Sequence, residues 1–224
     1  MASDFPRSPR FLRGALVAYD TPFLGPVPNI IVFQYNPDQL SRSLRARALP
    51  AETRPTGQAR DDAFLTLGPP VESINLTVEI DATDQLEAKN PIAVARGIQP
   101  TLSALELLMY PRSTQILLNS TLAAAGTAVL QVESTPLVLF VWGLARVLPV
   151  RVTSFSVTEE AFDTALNPLQ AKVELGLEVM TYLDLAPGSV GDIAYKAMLV
   201  QREVLARLNL INSAENLLGG LIPL

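Results

Sequence analysis

The chemistry open to this chain rests on carboxylates, lysine and tyrosine, because its 224 residues include no histidine and no cysteine. That composition removes disulfides, thiolate nucleophiles, Cys or His zinc sites, Ser-His-Asp triads and the imidazole proton shuttle. An enzyme built here would work with carboxylates, Lys, Tyr or a carboxylate-bound Mg²⁺. Three groups of acids qualify. Asp61-Asp62 sits in a proline-rich stretch, where adjacent acids are ordinarily solvated. Glu159-Glu160 with Asp163 is tighter, and its ordinary reading is a turn or helix start whose backbone N–H groups attract acids. Glu79 and Asp81 alternate along one run, Glu174 and Glu178 along another. They offer an acid–base pair or simply the wet face of a sheet. No P-loop, G-x-G-x-x-G, G-x-S-x-G or H-E-x-x-H pattern occurs. No catalytic residue, metal ligand or cofactor site is therefore expected, and no enzyme.

The elements that carry these acids are strands. Over Glu72 to Ala82, Ile74, Leu76, Val78 and Ile80 point one way, while Ser73, Asn75, Thr77, Glu79 and Asp81 point the other, as in a half-buried strand. Ala171 to Leu183 alternates likewise, with Val173, Leu175, Leu177 and Val179 opposite Lys172, Glu174 and Glu178. Gly14–Tyr19, Asn29–Tyr35 and Leu40–Ala48 read as further strands, the second stopped by Asn36-Pro37. Leu137–Val147 is apolar enough for a strand covered on both faces, with Pro149 expected to break it. Val150–Thr158 follows, and its phase switch at Ser154 predicts a β-bulge.

Two helices are predicted. A central one spans Thr101–Tyr110, capped by Thr101, stopped by Pro111 and apolar at Leu102, Leu105, Leu108 and Met109. A C-terminal one spans Asp192–Leu210, its apolar face built from Ile193, Ala197, Val200, Val204 and Leu208, with Lys196, Arg202, Glu203 and Arg207 outside. Residues 112–134 stay unassigned, and 50–70 reads as a long loop or arm. The order gives an α+β fold, a mainly antiparallel sheet closed as a barrel or sandwich, with one central helix and a C-terminal helix. Residues 1–186 form the β domain, and 187–224 a helix with an apolar tail.

Composition fits a packed or assembled protein: 49% of residues are hydrophobic, 17% charged, and mean hydropathy is +0.28. The net charge of −5 is uneven, since residues 1–60 hold eight Arg against four acids and the remainder nine Lys+Arg against 18 acids. The basic residues are diluted by prolines, so nucleic acid is not an expected partner. The longest strictly apolar run, Leu137–Trp142, is far short of a membrane span, and no signal-peptide core follows the arginines near the N-terminus. Synthesis in the cytoplasm without membrane insertion is expected.

Two stretches carry a resemblance. Val32-Phe33-Gln34-Tyr35-Asn36-Pro37 resembles the F-x-Y-N-P signature of the contractile injection system tube-protein family. Leu148 to Val179, with Thr158-Glu159-Glu160, Phe162-Asp163, Asn167-Pro168 and Ala171 before an alternating strand, resembles a second stretch of that family. Together they span about residues 12–186. The resemblance implies a tail-tube type of β fold and a structural role. The subunit would form a hexameric ring in the inner baseplate of a phage-tail-like particle, joining the spike or hub protein to the inner-tube subunits beside other baseplate proteins. The resemblance implies assembly of the particle in the cytoplasm and allows its release from the cell. Residues 187–224 are too short for the LysM domain that many relatives carry. The main inner-tube subunit is the alternative.

A ring also suits the chain physically, because closed cyclic assembly uses up strand margins that are a hazard on a monomer. In that frame Glu79, Asp81, Glu174 and Glu178 are expected to face the channel. Arg42, Arg45, Arg47 and Arg54, with Leu217, Leu218, Leu221 and Ile222 of the tail, are expected to contact adjoining rings.

Overall fold

The structure, a computed structural model, describes residues 12–19, 28–47, 66–126, 134–143 and 145–219, with side chains from 211 onward described only at Ser213. Among these residues seven strands form one sheet. They are β1 (Ala15–Tyr19), β2 (Asn29–Val32), β3 (Leu40–Arg45), β4 (Val71–Asp81), β5 (Leu137–Trp142), β6 (Arg146–Phe162) and β7 (Pro168–Val179). Every pairing is antiparallel, in the order β2-β1-β5-β6-β7-β4-β3. With the helices described below, the protein is α+β.

The period-two runs behave as predicted. Ile74, Leu76, Val78 and Ile80 of β4 and Val173, Leu175, Leu177 and Val179 of β7 all enter one core, joined by Val138, Phe140, Leu148 and Val150. The register of β6 on β7 shifts between Val152 and Ser154, so the bulge lies where the phase switch placed it. Pro149 does not end a strand. The turn comes earlier, at Gly143, whose φ is +75°, and β6 runs on through a buried Pro149. The Pro149 carbonyl accepts from Met180 N–H at 2.8 Å, just past the last residue of β7. A residue's N–H and C=O point to the same side of a strand. The donor that proline lacks would therefore have faced the end of the ladder, and nothing inside it is lost.

The hydrogen-bonded ladder has β2 and β3 at its two ends. The two are successive halves of one stretch, so the sheet is rolled and joined through residues 33–39. Phe33 N–H still reaches Gly14 O at 2.9 Å, on the β1 side. The Asn36 side chain then accepts from Gly14 N–H (2.9 Å) and donates to Leu12 O (2.8 Å). On the other side, the Gln34 side chain accepts from Asp81 N–H (2.9 Å) at the end of β4. Phe33 itself is buried and packs against Phe140, ring centroids 6.5 Å apart.

Among the described residues, four helices stand between β4 and β5 where one was predicted: α1 (Thr83–Glu87), α2 (Pro91–Arg96), α3 (Gln99–Glu106) and α4 (Ser113–Ala124). The predicted central helix is α3, begun two residues earlier, with Ile98 rather than Thr101 at the cap. Leu102, Leu105 and Leu108 are buried as their spacing requires, but Met109 is exposed. Asn90 caps α2 by accepting from Ile92 N–H at 2.9 Å. The last helix, α5 (Val190–Gly219), starts before Asp192 and runs on through Leu217 and Leu218.

Its orientation corrects the sequence reading. The buried side of α5 is Gly191, Asp192, Tyr195 and Met198, while Ile193, Ala197, Val200, Val204 and Leu208 are exposed. Two contacts set this. A Cβ on Gly191 would lie 2.9 Å from Leu185 Cδ2 and 3.2 Å from Leu137 Cδ1, so glycine lets the helix lie this close to β5 without displacing those leucines. Arg202, predicted outside, turns inward to a buried carboxylate.

Candidate functional site

Three regions carry the side chains singled out by the sequence, and a fourth emerges only in the fold. The first is the wet face of β6, β7 and β4. The register sets Glu178 between Ser73 and Arg151, Glu174 between Thr77 and Ser156, and Glu79 beside Lys172. All four predicted acids thus share one face. They alternate with cations: Arg151 donates to Glu178 at 2.6 Å, and Lys172 Nζ lies 3.9 Å from Glu79. Both pairs are well exposed, and such pairs contribute at most about 1 kcal/mol. Asp81 is tied instead to local donors, the Thr83 hydroxyl (2.5 Å), Thr83 N–H (2.7 Å) and the Gln170 amide (2.8 Å). Among the described residues no group of three carboxylates is arranged to hold a metal ion.

The second region is the β6–β7 hairpin tip. Asp163 organises it, accepting from Ala165 N–H (2.7 Å), Asn167 N–H (2.8 Å) and the Asn167 amide (2.8 Å). That leaves Glu159 and Glu160 exposed, with the large apolar Phe162 and Leu166 uncovered beside them. The acidic cluster is a turn device at Asp163, as its ordinary reading held, yet its other two carboxylates are free of it.

Both loop aspartates titrate with a fixed sign. The Thr83 hydroxyl does most to hold the Asp81 carboxyl below its ordinary 3.8, with burial opposing. The Asn167 side chain does the same for Asp163. A carboxyl that is more acidic folded than unfolded stabilises the fold above its ordinary pKa. It loses that contribution as pH falls through the depressed value. The urea midpoint should therefore fall as pH drops below about 4, and Asp81→Asn with Asp163→Asn should flatten that fall. An unchanged acid limb in the double variant would contradict the assignment.

The third region holds the arginines. Arg47 lies 4.0 Å from Asp184 and donates from Nε to Pro69 O at 3.1 Å, and Arg42 faces Glu72, so both are engaged within the subunit. Arg45 is exposed at the end of β3 and has no ion pair among the described residues. Arg54, Leu221 and Ile222 lie outside the described residues, as do the side chains of Leu217 and Leu218.

The fourth region was missed in the sequence. Glu72 shares the inward phase of β4 with Ile74 and Leu76, and its side chain is only 4% exposed. Arg202 of α5 donates to its Oε2 at 2.5 Å, while Arg42 Nε stands 3.5 Å from Oε1, which accepts no hydrogen bond among the described residues. Arg42 lies opposite Ile74, and Arg146 opposite Trp142, so both also occupy the inward phase of their strands. At this end of the roll the apolar core gives way to an ionic mouth. Beside it lies a cleft of about 390 Å³ lined by Arg42, Trp142, Arg146, Met198, Arg202 and Leu205 among others. The available signal was a charged residue in the apolar phase of an alternating strand.

No helix among the described residues is long and apolar enough to cross a membrane. No protein-family model matches the sequence, and no curated protein matches it.

Proposed function

We propose that the chain is a structural subunit of a contractile injection system. In this reading it forms a hexameric ring in the inner baseplate of a phage-tail-like particle and joins the spike or hub to the inner tube. The observation that carries the proposal is the sheet: β3 stands at one end of the ladder, nearly all exposed, and the face beside it is wet and mixed in charge. A margin of that kind is a liability unless a neighbour covers it, and cyclic closure covers all copies at once. The α+β fold with its rolled antiparallel sheet is compatible with a tail-tube type, and the resemblance at Phe33–Pro37 and Leu148–Val179 is what suggests it. The parts of the first motif have clear structural duties, Phe33 in the core, Gln34 on β4 and Asn36 on β1.

In the ring, the face bearing Glu79, Asp81, Glu174 and Glu178 lines the channel, and Arg45 meets an acidic surface of an adjoining baseplate component. The geometry favours a packing device over a reaction centre, because Glu178 pairs with Arg151, Glu79 lies beside Lys172, and Asp81 is held by Thr83 and Gln170. The main inner-tube subunit remains the second reading. The 30-residue α5 favours the adaptor, since an extended helix gives a single ring something to offer its neighbours.

The test is the mass of the full chain by light scattering, followed by electron microscopy. Sixfold rings are expected, whereas a stable monomer at all concentrations would overturn the reading. Arg45→Glu should leave the melting temperature unchanged and block incorporation into whole particles, because an exposed arginine without an ion pair adds little to the fold. Normal incorporation of that variant would remove Arg45 from the contact.

A further inference from the structure

We infer that the arginine cleft at the mouth of the roll is a peptide-binding site. Its occupant is a short acidic segment of another protein, with one aromatic or aliphatic side chain between its carboxylates. The inference stands apart from the ring, because the cleft is complete within one subunit.

Charge is the first argument. Arg42, Arg146 and Arg202 line the cleft, and Glu72 faces only the first and third of them. Three guanidiniums against one carboxylate leave an excess of two positive charges. Each guanidinium has about five N–H donors, yet among the described residues the three make one hydrogen bond, from Arg202 to Glu72. Arg146 has no ion pair at all among the described residues. The side chains of Arg42 and Arg202 are 39% and 34% exposed. A carboxylate seated among them therefore meets donors already partly withdrawn from water, where charge-assisted hydrogen bonds are strong.

The floor is the second argument. Trp142, stacked on Phe140 with centroids 5.7 Å apart, forms it with Met198 and Leu205. Arginine beside an aromatic anchor is the usual composition of an energetic interface centre. At about 390 Å³ the space falls within the range of ordinary ligand pockets, roughly 300–1,000 Å³. The Gln201 amide also lines it, a donor and acceptor that matches a peptide unit.

The remaining surface selects the class of anion. Residues 61–224 hold nine Lys+Arg against 18 acids, so a nucleic-acid backbone running out of the cleft meets a repelling body. A short acidic segment ends before that repulsion accumulates. The acids at the β6–β7 tip of this chain do not present the required pattern, since Glu159 lies opposite Ala171 and Glu160 opposite Gln170, on opposite faces of the sheet. In an extended peptide, alternate residues share a face. The pattern acid-x-apolar-x-acid thus turns two carboxylates to the arginines and one apolar side chain to the floor.

The test titrates the full chain with acetyl-Glu-Gly-Phe-Gly-Glu-amide. Trp142 is the sole tryptophan, so its emission should become protected from acrylamide quenching, with saturation at micromolar peptide. Peptides with both Glu replaced by Gln, or with Phe replaced by Gly, should each bind about 10-fold more weakly or worse. In the protein, Arg146→Gln and Leu205→Asn should each weaken binding about 10-fold, and Arg146→Glu on the order of 100-fold. All three should keep the melting temperature of the free protein, since Arg146 is unpaired and Leu205 is 56% exposed. No saturation up to about 1 mM peptide, or variants that bind like wild type, would overturn the site. Tighter binding of hexathymidylate than of the acidic peptide would also overturn it, in favour of nucleic acid. Peptide binding by a chain that forms no ring would tell against the ring alone, and sixfold rings indifferent to the peptide would tell against this site alone.

Discussion

Replacing Arg42 and Arg202 together by methionine should cost about 3–5 kcal/mol of folding stability at neutral pH, the usual penalty for leaving a buried charge uncompensated. Glu72 is the reason. Its side chain is 4% exposed, it sits in the apolar phase of β4, and its two oxygens face those two guanidiniums. With both removed, the carboxylate must stay charged in a poor medium, take up a proton, or drag β4 open. Methionine is shorter than arginine but keeps most of its apolar stem, so lost packing contributes less than the lost charge. A third substitution, Glu72→Met, should recover most of the loss, because an apolar trio of similar volume replaces a buried ionic one at little cost. Urea unfolding of the double and triple variants reads both numbers. A double variant within about 1 kcal/mol of wild type, the range of exposed ion pairs, would mean that the mouth is open to water. The arrangement also fastens α5 to β3 and β4, since Arg202 comes from the helix, Arg42 from β3 and Glu72 from β4.

Gly97→Ala should be nearly as damaging, at about 2–4 kcal/mol from backbone strain and a lost hydrogen bond. Gly97 has φ +55° and ψ −133°, a combination reserved for glycine. A Cβ there would lie 2.1 Å from the carbonyl oxygen of Pro168, which is backbone and cannot rotate aside. That same oxygen accepts from Ile98 N–H at 3.0 Å, and Asn167 donates to Ala95 O at 3.4 Å. The alanine therefore pushes α2 and α3 off the tip of the β6–β7 hairpin. Hydrogen exchange should show Ile98 losing protection together with the hairpin amides. Gly126→Ala is the natural comparison: φ is +72° there, yet nothing lies within 4 Å of the added carbon. It should cost only about 1–2 kcal/mol. Equal effects at the two positions would remove the clash from the explanation.

The sequence disclosed most where one periodicity ruled. β4 and β7 were legible residue by residue, because each keeps strict alternation and each has one wet face. The four acids could be assigned to a common face for the same reason. The reading faltered where tertiary contacts outweighed pattern. The leucine and valine stripe on α5 was taken for its buried side, but the close approach at Gly191 and the pairing of Arg202 with Glu72 turn the helix round. Pro149 reads as a break in the sequence, because only the neighbouring ladder reveals that its missing donor faces the end of β7. The helices after β4 were compressed into one, since α1 and α2 are five and six residues long and have little periodicity to show. Glu72, Arg42 and Arg146 were each visible as charges in an apolar phase. Their convergence was not, because it depends on how far the sheet rolls.

The rolled sheet also sets a clock on the making of this protein. β1 lies between β2 and β5, with Leu16 opposite both Ile31 and Phe140. Its first partner follows almost at once, whereas its second is encoded far downstream. At about 5–20 residues per second, the ribosome needs roughly 5–22 s to travel from one to the other. Through that interval the nascent β1–β2 ribbon holds an open hydrogen-bonding side, and a two-stranded ribbon is barely stable by itself. Pairings so distant along the chain are also the slow steps of folding. The chain is therefore most exposed to premature association before its first ribbon has met its last strands.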